Sequence, residues 1–328
     1  METTYLKAIT QGLLEEMARD PSVYVLGEDV TFGGPFGVTK GLVEAFGERR
    51  VLNTPISEET VTGLATGAAT LGLRPVVELM FMDFIPLAMN QLINHAAKLH
   101  YMSGGQLRVP LTIRTVCGVG SGWGAHHSQS LEAWFSHVPG MKVAMPATPA
   151  DARGLLKAAI RDDNPVLVVE HRGLYFTKGE LPEGEGVIPL GVARVAREGT
   201  DCTVAAASRM VLTALDAAGD LAARGISVEV IDLRSLFPLD LETVLTSVAK
   251  THHLVIAHEA VLTGGWGGEL AARVQEAGLD ELDAPIVRIG APHAPVPGSP
   301  PLERSYVPGR ERIVEAVVAV TGGGGVTP

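Results

Sequence analysis

The chain has 328 residues, enough for about two domains. Its 26 basic and 37 acidic residues leave a net charge of −11, and with no Lys/Arg-rich run this excludes a nucleic-acid binder or a protein drawn to an anionic membrane surface. Hydrophobic residues make up 46% and charged ones 19%, which excludes general disorder and points to apolar surface covered by another subunit.

The start, METTYLKAITQGLLEEM, carries Glu2, Glu15 and Glu16 and no basic stretch before an apolar core, so it does not read as a signal peptide. Leu6, Ile9, Leu13, Leu14 and Met17 then fall at helical spacing and predict a helix over 5–18. Val23 to Leu26 reads as a short buried strand that runs into Gly27-Glu28-Asp29. A helix rich in small residues follows over 57–71, open to close approach by another backbone, and then a strand over 75–81. The most apolar stretch, 76–89, is broken by Glu78, Asp83 and Pro86 and falls short of the ~18 residues of a membrane span. A soluble cytoplasmic protein is expected.

A helix is predicted over 83–101, strands over 111–115, 142–145 and 166–170, and a helix over 149–161. The segment 178–190, KGELPEGEGVIPL, reads as a domain boundary. After it the alternation restarts, with strands over 202–207, 227–233, 254–257 and 285–289 and helices over 209–224, 240–249, 267–277 and 310–320. Alternating strands and helices imply parallel sheets covered on both faces. The expected architecture is α/β: a first domain over 1–180 and a smaller α/β domain over 188–328.

Three places could carry chemistry. Ser57 can cap the helix it precedes, with Glu58 and Glu59 in the first turn. The ordinary reading is compensation of the helix dipole; the sharper one is a carboxylate held for proton transfer. Gly118, Gly120, Gly122 and Gly124 alternate after a strand and lead to His126-His127-Ser128-Gln129. The spacing is not G-x-G-x-x-G, so a dinucleotide loop is poorly supported. Adjacent histidines diverge and make a poor metal site, but one could act as an acid/base group near neutral pH. Met80 and Phe84 sit among apolar neighbours and read as core, and His252-His253 and His258-Glu259 as solvated strand ends. Cys117 and Cys202 are too few and too far apart for a disulfide framework or zinc ribbon.

Over nearly its whole length, to about Val307, the chain resembles the β subunit of the thiamine-diphosphate-dependent first component of 2-oxo acid dehydrogenase complexes. The resemblance is carried by GEDV (27–30), the run from Val38 to Gly41, TPISEE (54–59), GLRPVVELMFMDF (72–84), NQLINHAAKLHYMSGGQ (90–106), HHSQSLEAWFSHVPGMKV (126–143), AIRDDNPVLVVE (159–170) and EVIDLRSLFPLD (229–240). ELMFMDF and APHAPVP (291–297) look closest to acetoin dehydrogenase β subunits, with pyruvate and branched-chain versions close behind.

The resemblance implies a transketolase-like pyrimidine-binding domain followed by a transketolase-like C-terminal domain. It places Glu58 as the glutamate that bonds the aminopyrimidine ring, where a carboxylate favours the tautomer that takes up the thiazolium proton. Phe84 takes the place of the stacked aromatic, and Glu28, Ile56 and Met80 the places of other ring neighbours. His127 matches a histidine facing the reacting carbon and the incoming lipoyl group. Leu111, Ala159, Ile160, Asp162 and Asn164 match a structural potassium site, mostly through main-chain carbonyls.

The Gly-Asp-Gly stretch that holds magnesium and diphosphate in thiamine enzymes is missing, since Gly219-Asp220 lacks the second glycine and falls in a predicted helix. The resemblance therefore implies an α subunit that brings the diphosphate half, in an α2β2 heterotetramer that passes acyl groups to the lipoyl-lysine of an acyltransferase. Other readings are a split-chain transketolase-like carboligase, a nicotinamide-dependent Rossmann oxidoreductase and a non-catalytic scaffold subunit. Departures from the family are a short loop over 31–38, the GSGWGA loop before His127 and the tail TGGGGVTP.

Overall fold

The structure is a computed structural model that describes residues 2–120 and 122–322; most of the TGGGGVTP tail and Ser121 of the GSGWGA loop lie outside them. The chain divides into two units. The first comprises residues 1–117 and 134–190, the second residues 118–133 and 191–328. The glycine-rich segment Gly118–Ala133 thus belongs with the second unit although it lies among first-unit elements in sequence.

In chain order the first part contains β1 (Glu2–Thr4), α1 (Tyr5–Arg19), β2 (Val23–Gly27), α2 (Leu42–Phe46), β3 (Val51–Asn53), α3 (Glu58–Thr70), β4 (Arg74–Leu79), α4 (Leu99–Met102), β5 (Thr112–Cys117), α5 (Glu132–Ser136), β6 (Lys142–Ala144), α6 (Pro149–Arg161), β7 (Val166–His171) and β8 (Lys178–Glu180). Its main sheet orders these strands 6-7-5-4-2-3, all parallel, and β1 pairs with β8 separately. β2, β5 and β7 are buried along their whole length, as strands covered on both faces must be. α1 is capped by Thr4, whose hydroxyl accepts from Lys7 N–H at 3.3 Å. It packs on α6, which opens with a capping box between Thr148 and Asp151.

β2 is followed by β3 on one side and, through α3, by β4 on the other. The chain therefore reverses direction across the sheet between β2 and β4. In open α/β sheets the crevice outside the carboxyl ends of two such strands is where ligands bind. Glu28 follows β2, Met80 follows β4, and α3 starts with Glu58.

The helix predicted over 83–101 is broken into three. A 3-10 segment spans Met82–Ala88 and contains Pro86, a π-helical segment spans Asn90–Ala96, and only Leu99–Met102 is α-helical. Pro86 has no N–H to continue a helix and crowds the preceding turn. The wider winding that follows appears as the Ala97 N–H to Leu92 O bond at 2.9 Å.

The second unit continues with β9 (Arg194–Arg197), β10 (Cys202–Ala206), α7 (Arg209–Ala222), β11 (Val228–Asp232), β12 (Ser235–Phe237), α8 (Leu241–Thr251), β13 (Leu254–Val261), α9 (Trp266–Gly278), β14 (Val287–Ala291), α10 (Pro300–Tyr306) and α11 (Arg310–Thr321). Its sheet orders strands 14-13-10-11-9, parallel except for the edge strand β9. α7 packs with α11, and α8 with α9. Here the direction reverses between β10 and β13.

Candidate active site

The crevice of the first unit is built by close backbone approach. A Cβ at Gly27 would lie 2.6 Å from Glu78 O, so only glycine lets β2 end against β4. The chain then places Glu28 half-buried beside the start of α3. Burial first, and next the charge of Glu58, push the Glu28 carboxyl above the ordinary carboxylate pKa. Glu58 itself is 9% exposed. Ser57 does not cap α3 as expected; its hydroxyl donates to Thr60 Oγ1 at 2.8 Å instead. The neighbouring Glu59 is exposed and accepts from Gln91 Nε2 at 3.4 Å.

Met80 and Phe84 are partly exposed rather than core. Phe84 belongs to the 3-10 segment that packs on α3, and its ring meets Phe81 edge-on with centroids 5.9 Å apart. Phe81 in turn meets Phe36 edge-on at 5.6 Å. Ile56 stands just before α3, 81% exposed. Glu28 and Glu58 are thus close enough to feel each other's charge, while Met80 follows β4, Phe84 lies in the segment packed on α3, and Ile56 stands just before α3.

The sheet of the first unit also carries a buried ionic triad. Glu78 on β4, Arg114 on β5 and Glu170 on β7 sit on three successive strands. Arg114 donates from Nη1 to Glu78 Oε2 at 2.6 Å and from Nε to Glu170 Oε1 at 2.7 Å, and Tyr175 Oη donates to Glu170 Oε2 at 2.8 Å. Burial alone would lower the Arg114 pKa, but the Glu170 and Glu78 charges outweigh it and hold the guanidinium firmly protonated. Burial raises Glu170, with Arg114 opposing. Sequence reading passed over this triad because the three residues are scattered along the chain and look like ordinary breaks in apolar strands.

His127 lies in the second unit, partly exposed, with its ring edge-on to Trp123 at a centroid distance of 6.2 Å. Its neighbour His126 lines a cavity of about 620 Å3 together with Ser128, Glu259, His293 and Tyr306. Glu132, at the start of α5, is buried, and desolvation pushes its pKa up to about 7, with Glu259 adding to the rise. His258 and Glu259, expected as solvated strand ends, are instead 1% and 9% exposed. β13 runs on to Val261, and Gly265, Gly267 and Gly290 leave just enough room for the imidazole, which a Cβ would approach to 2.8 Å. Burial holds His258 neutral, its pKa lowered to about 4, with Nδ1 2.9 Å from Ala260 O.

Of the residues expected to cradle potassium, Ile160 and Asp162 already present their oxygens to positive charge. Ile160 O and Asp162 O accept from Arg74 Nη1 at 3.0 and 3.1 Å, and Lys142 Nζ lies 2.5 Å from Asp162 Oδ2. Leu111 O accepts from Val166 N–H at 2.9 Å, Ala159 O from Asp162 N–H at 3.2 Å, and Asn164 donates to Asp162 Oδ1. Among the described residues no group of three or more His, Cys, Asp or Glu side chains is placed to hold a metal, and no helix is long and apolar enough to cross a membrane. Gly219 and Asp220 lie within α7, so they form no phosphate loop.

Residues 1–178 match the family described as transketolase, pyrimidine binding domain, and residues 191–313 the family described as transketolase, C-terminal domain. The chain is 47% identical over 328 residues to the acetoin:2,6-dichlorophenolindophenol oxidoreductase subunit beta of Bacillus subtilis, with 96% of each chain covered. It is 46% identical over 320 residues to the pyruvate dehydrogenase E1 component subunit beta of Gracilaria tenuistipitata var. liui, covering 97% of this chain and 99% of the other. A solved structure described as split gene transketolase, inactive beta4 tetramer, matches with a TM-score of 0.78 at 25% identity, covering 97% of this chain and 98% of that one.

Proposed function

The chain belongs to the family of β subunits of the thiamine-diphosphate-dependent first component of 2-oxo acid dehydrogenase complexes, and from that premise we propose that it forms the pyrimidine half of an acetoin- or 2-oxo-acid-cleaving active site. The observation that carries the proposal is the crevice between β2 and β4, where Glu58 opens α3 beside a Glu28 of raised pKa. The nicotinamide reading falls with the family. The scaffold reading does not account for a Glu28 whose proton affinity is raised by burial and by the Glu58 charge. A carboligase reading rests on a structure at 25% identity, against 46–47% for the dehydrogenase subunits.

When bound, thiamine diphosphate supplies an electron sink for breaking a carbon–carbon bond next to a carbonyl. Glu58 exchanges a proton with the ring, beside a Glu28 whose own proton affinity is raised by burial and by the Glu58 charge. Met80 and Phe84 would cover the ring and keep water from it, with Ile56 at the edge. His127 acts on groups that meet the incoming lipoyl sulfur. The diphosphate and its magnesium belong to an α subunit in an α2β2 assembly, and the acyl group passes to a lipoyl acyltransferase. Leu71, Tyr101 and Met102 are exposed apolar residues of the first unit, consistent with burial against a partner. Potassium at 111 and 159–164 and a cytoplasmic location are parts of the same proposal.

The test is a substrate panel. The chain is assembled with its α subunit and supplied with thiamine diphosphate and magnesium, then offered acetoin, pyruvate and branched-chain 2-oxo acids with an artificial electron acceptor. Turnover of one of these supports the reading. Turnover of none, with carboligation of sugar phosphates instead, overturns it.

A further inference from the structure

In the second unit the direction of the chain reverses between β10 and β13, so the crevice at their carboxyl ends is where a ligand is expected. The protein's own segment Gly118–Ala133 is bonded here through its first residues and lines a cavity with the end of β13. Val119 N–H donates to Glu259 Oε1, on β13, at 2.7 Å. Gly120 N–H and Gly122 N–H donate to the two oxygens of Glu303, on α10, at 2.9 and 3.0 Å. Val119 O accepts from Nη1 of Arg209, the first residue of α7, at 3.4 Å. The Val119 side chain is buried against Ala291, Val296 and Tyr306.

The amides of Gly120 and Gly122 are therefore taken by a carboxylate of the protein itself. Gly120 and Gly122 have φ of +128° and +67°, values open to glycine, and these turns point their amides at one carboxylate. A Cβ at Gly122 would also meet Gly298 O at 3.1 Å. Glu303 is 4% exposed and Glu259 9% exposed. Charge-assisted bonds to main-chain amides are about twice as strong as neutral ones, and two from a single carboxylate fix both the position and the direction of the backbone.

We infer that Glu303 and Glu259 are positioning residues, which clamp the backbone of this segment so that His126 and His127 are presented in one fixed arrangement. The catalytic part of this inference rests on the proposed role of His127. The clamp does not.

The test uses the assembled α/β enzyme. Hydrogen exchange is followed on peptides covering 118–133 and on those covering β2, β4 and α3 in the wild type and in Glu303→Gln, Glu303→Asp, His127→Ala and the Glu303→Gln/His127→Ala double variant. Rates are measured with a lipoyl-domain acceptor and with an artificial acceptor. In Glu303→Gln the amide group turns a donor toward one of the two glycine N–H groups. Exchange across 118–133 is then expected to quicken ten-fold or more while the first-unit peptides keep wild-type protection. The lipoyl-dependent kcat should fall about ten-fold with substrate KM within two-fold, Glu303→Asp should recover part of it, and the double variant should be no worse than two-fold below His127→Ala alone. Unchanged exchange at 118–133, or a full ten-fold further loss in the His127→Ala background, overturns the inference. A His127→Ala enzyme that keeps its lipoyl rate overturns the functional reading alone, and the clamp is then decided by the exchange data. If Glu303→Gln does not assemble, Glu259→Gln, which weakens the Val119 bond, is put to the same test.

Discussion

Glu28, at the end of β2, and Glu58, at the start of α3, repel each other: after burial, the charge of Glu58 is the largest cause of the raised proton affinity of Glu28. Two like charges placed this close do not help stability, and under the proposed function they serve proton handling. Glu58→Gln should lower the rate of the assembled enzyme by about 10²–10⁴-fold, the usual weight of general acid–base catalysis. Because it also removes a like charge, it should leave the thermal midpoint of the chain at neutral pH unchanged or higher. Glu59→Gln disturbs only a long bond to Gln91 and should cost far less. Kinetics and a melting curve on the same preparations check both.

The Arg114 triad should behave in the opposite sense. Arg114→Met leaves Glu78 and Glu170 buried without a cation, and breaking a buried pair from one side costs about 3–5 kcal/mol. Equilibrium unfolding of the chain should show a loss of that size. Arg114→Lys keeps the charge but cannot bond both carboxylates from a planar fork, and it should fall between the two.

Glu132 gives a pH signature. Its folded pKa is about 7 against a reference of 4.5, and burial is the main cause. A raised carboxyl stabilises the fold fully below about pH 4.5, and that stability is lost as pH rises through 7. The shift corresponds to about 3 kcal/mol. Relative to Glu132→Gln, which cannot ionise, the wild type should therefore lose about 3 kcal/mol between pH 4.5 and pH 8. Unfolding midpoints of the two proteins across that range measure the difference directly.

His127 and His126 should separate by half-reaction. His127→Ala should slow transfer to a lipoyl domain by more than it slows reduction of an artificial acceptor. His126→Ala, which alters the wall of the second-unit cavity, should be milder in both. Equal losses in the two assays for His127→Ala would reduce it to a structural residue.

Much of this was legible in the sequence because parallel strands and their helices advertise themselves. The buried runs of β2, β5 and β7 and the helical spacing of α1 and α6 are local signals, and the structure keeps them. The candidate crevice was legible only through resemblance, since nothing local to Glu58 separates an acid/base carboxylate from a helix-dipole partner. What escaped depends on distant pairing. The break at Pro86 reads locally as one helix with a tolerated proline, and the π-helical winding that follows leaves no residue-level mark. Glu303 and Glu259 bond main-chain amides well over a hundred residues away, and a backbone acceptor has no signature in side chains. His258-Glu259 looked solvated because two polar residues ended an apolar run. Only the three glycines packed around His258 show otherwise, and they are dispersed over 265–290.

The most direct measurement is cofactor binding by the chain alone and with its α subunit. The purified chain is titrated with thiamine diphosphate and magnesium by calorimetry, and the titration is repeated after α is added, with turnover followed in parallel. A pyrimidine half without a Gly-Asp-Gly loop should bind weakly and turn nothing over by itself. It should gain both affinity and activity only in the assembly, whose stability should rise with cofactor by mass action. Tight binding and turnover by the isolated chain would contradict the assignment, because the diphosphate site would then have to lie within these 328 residues.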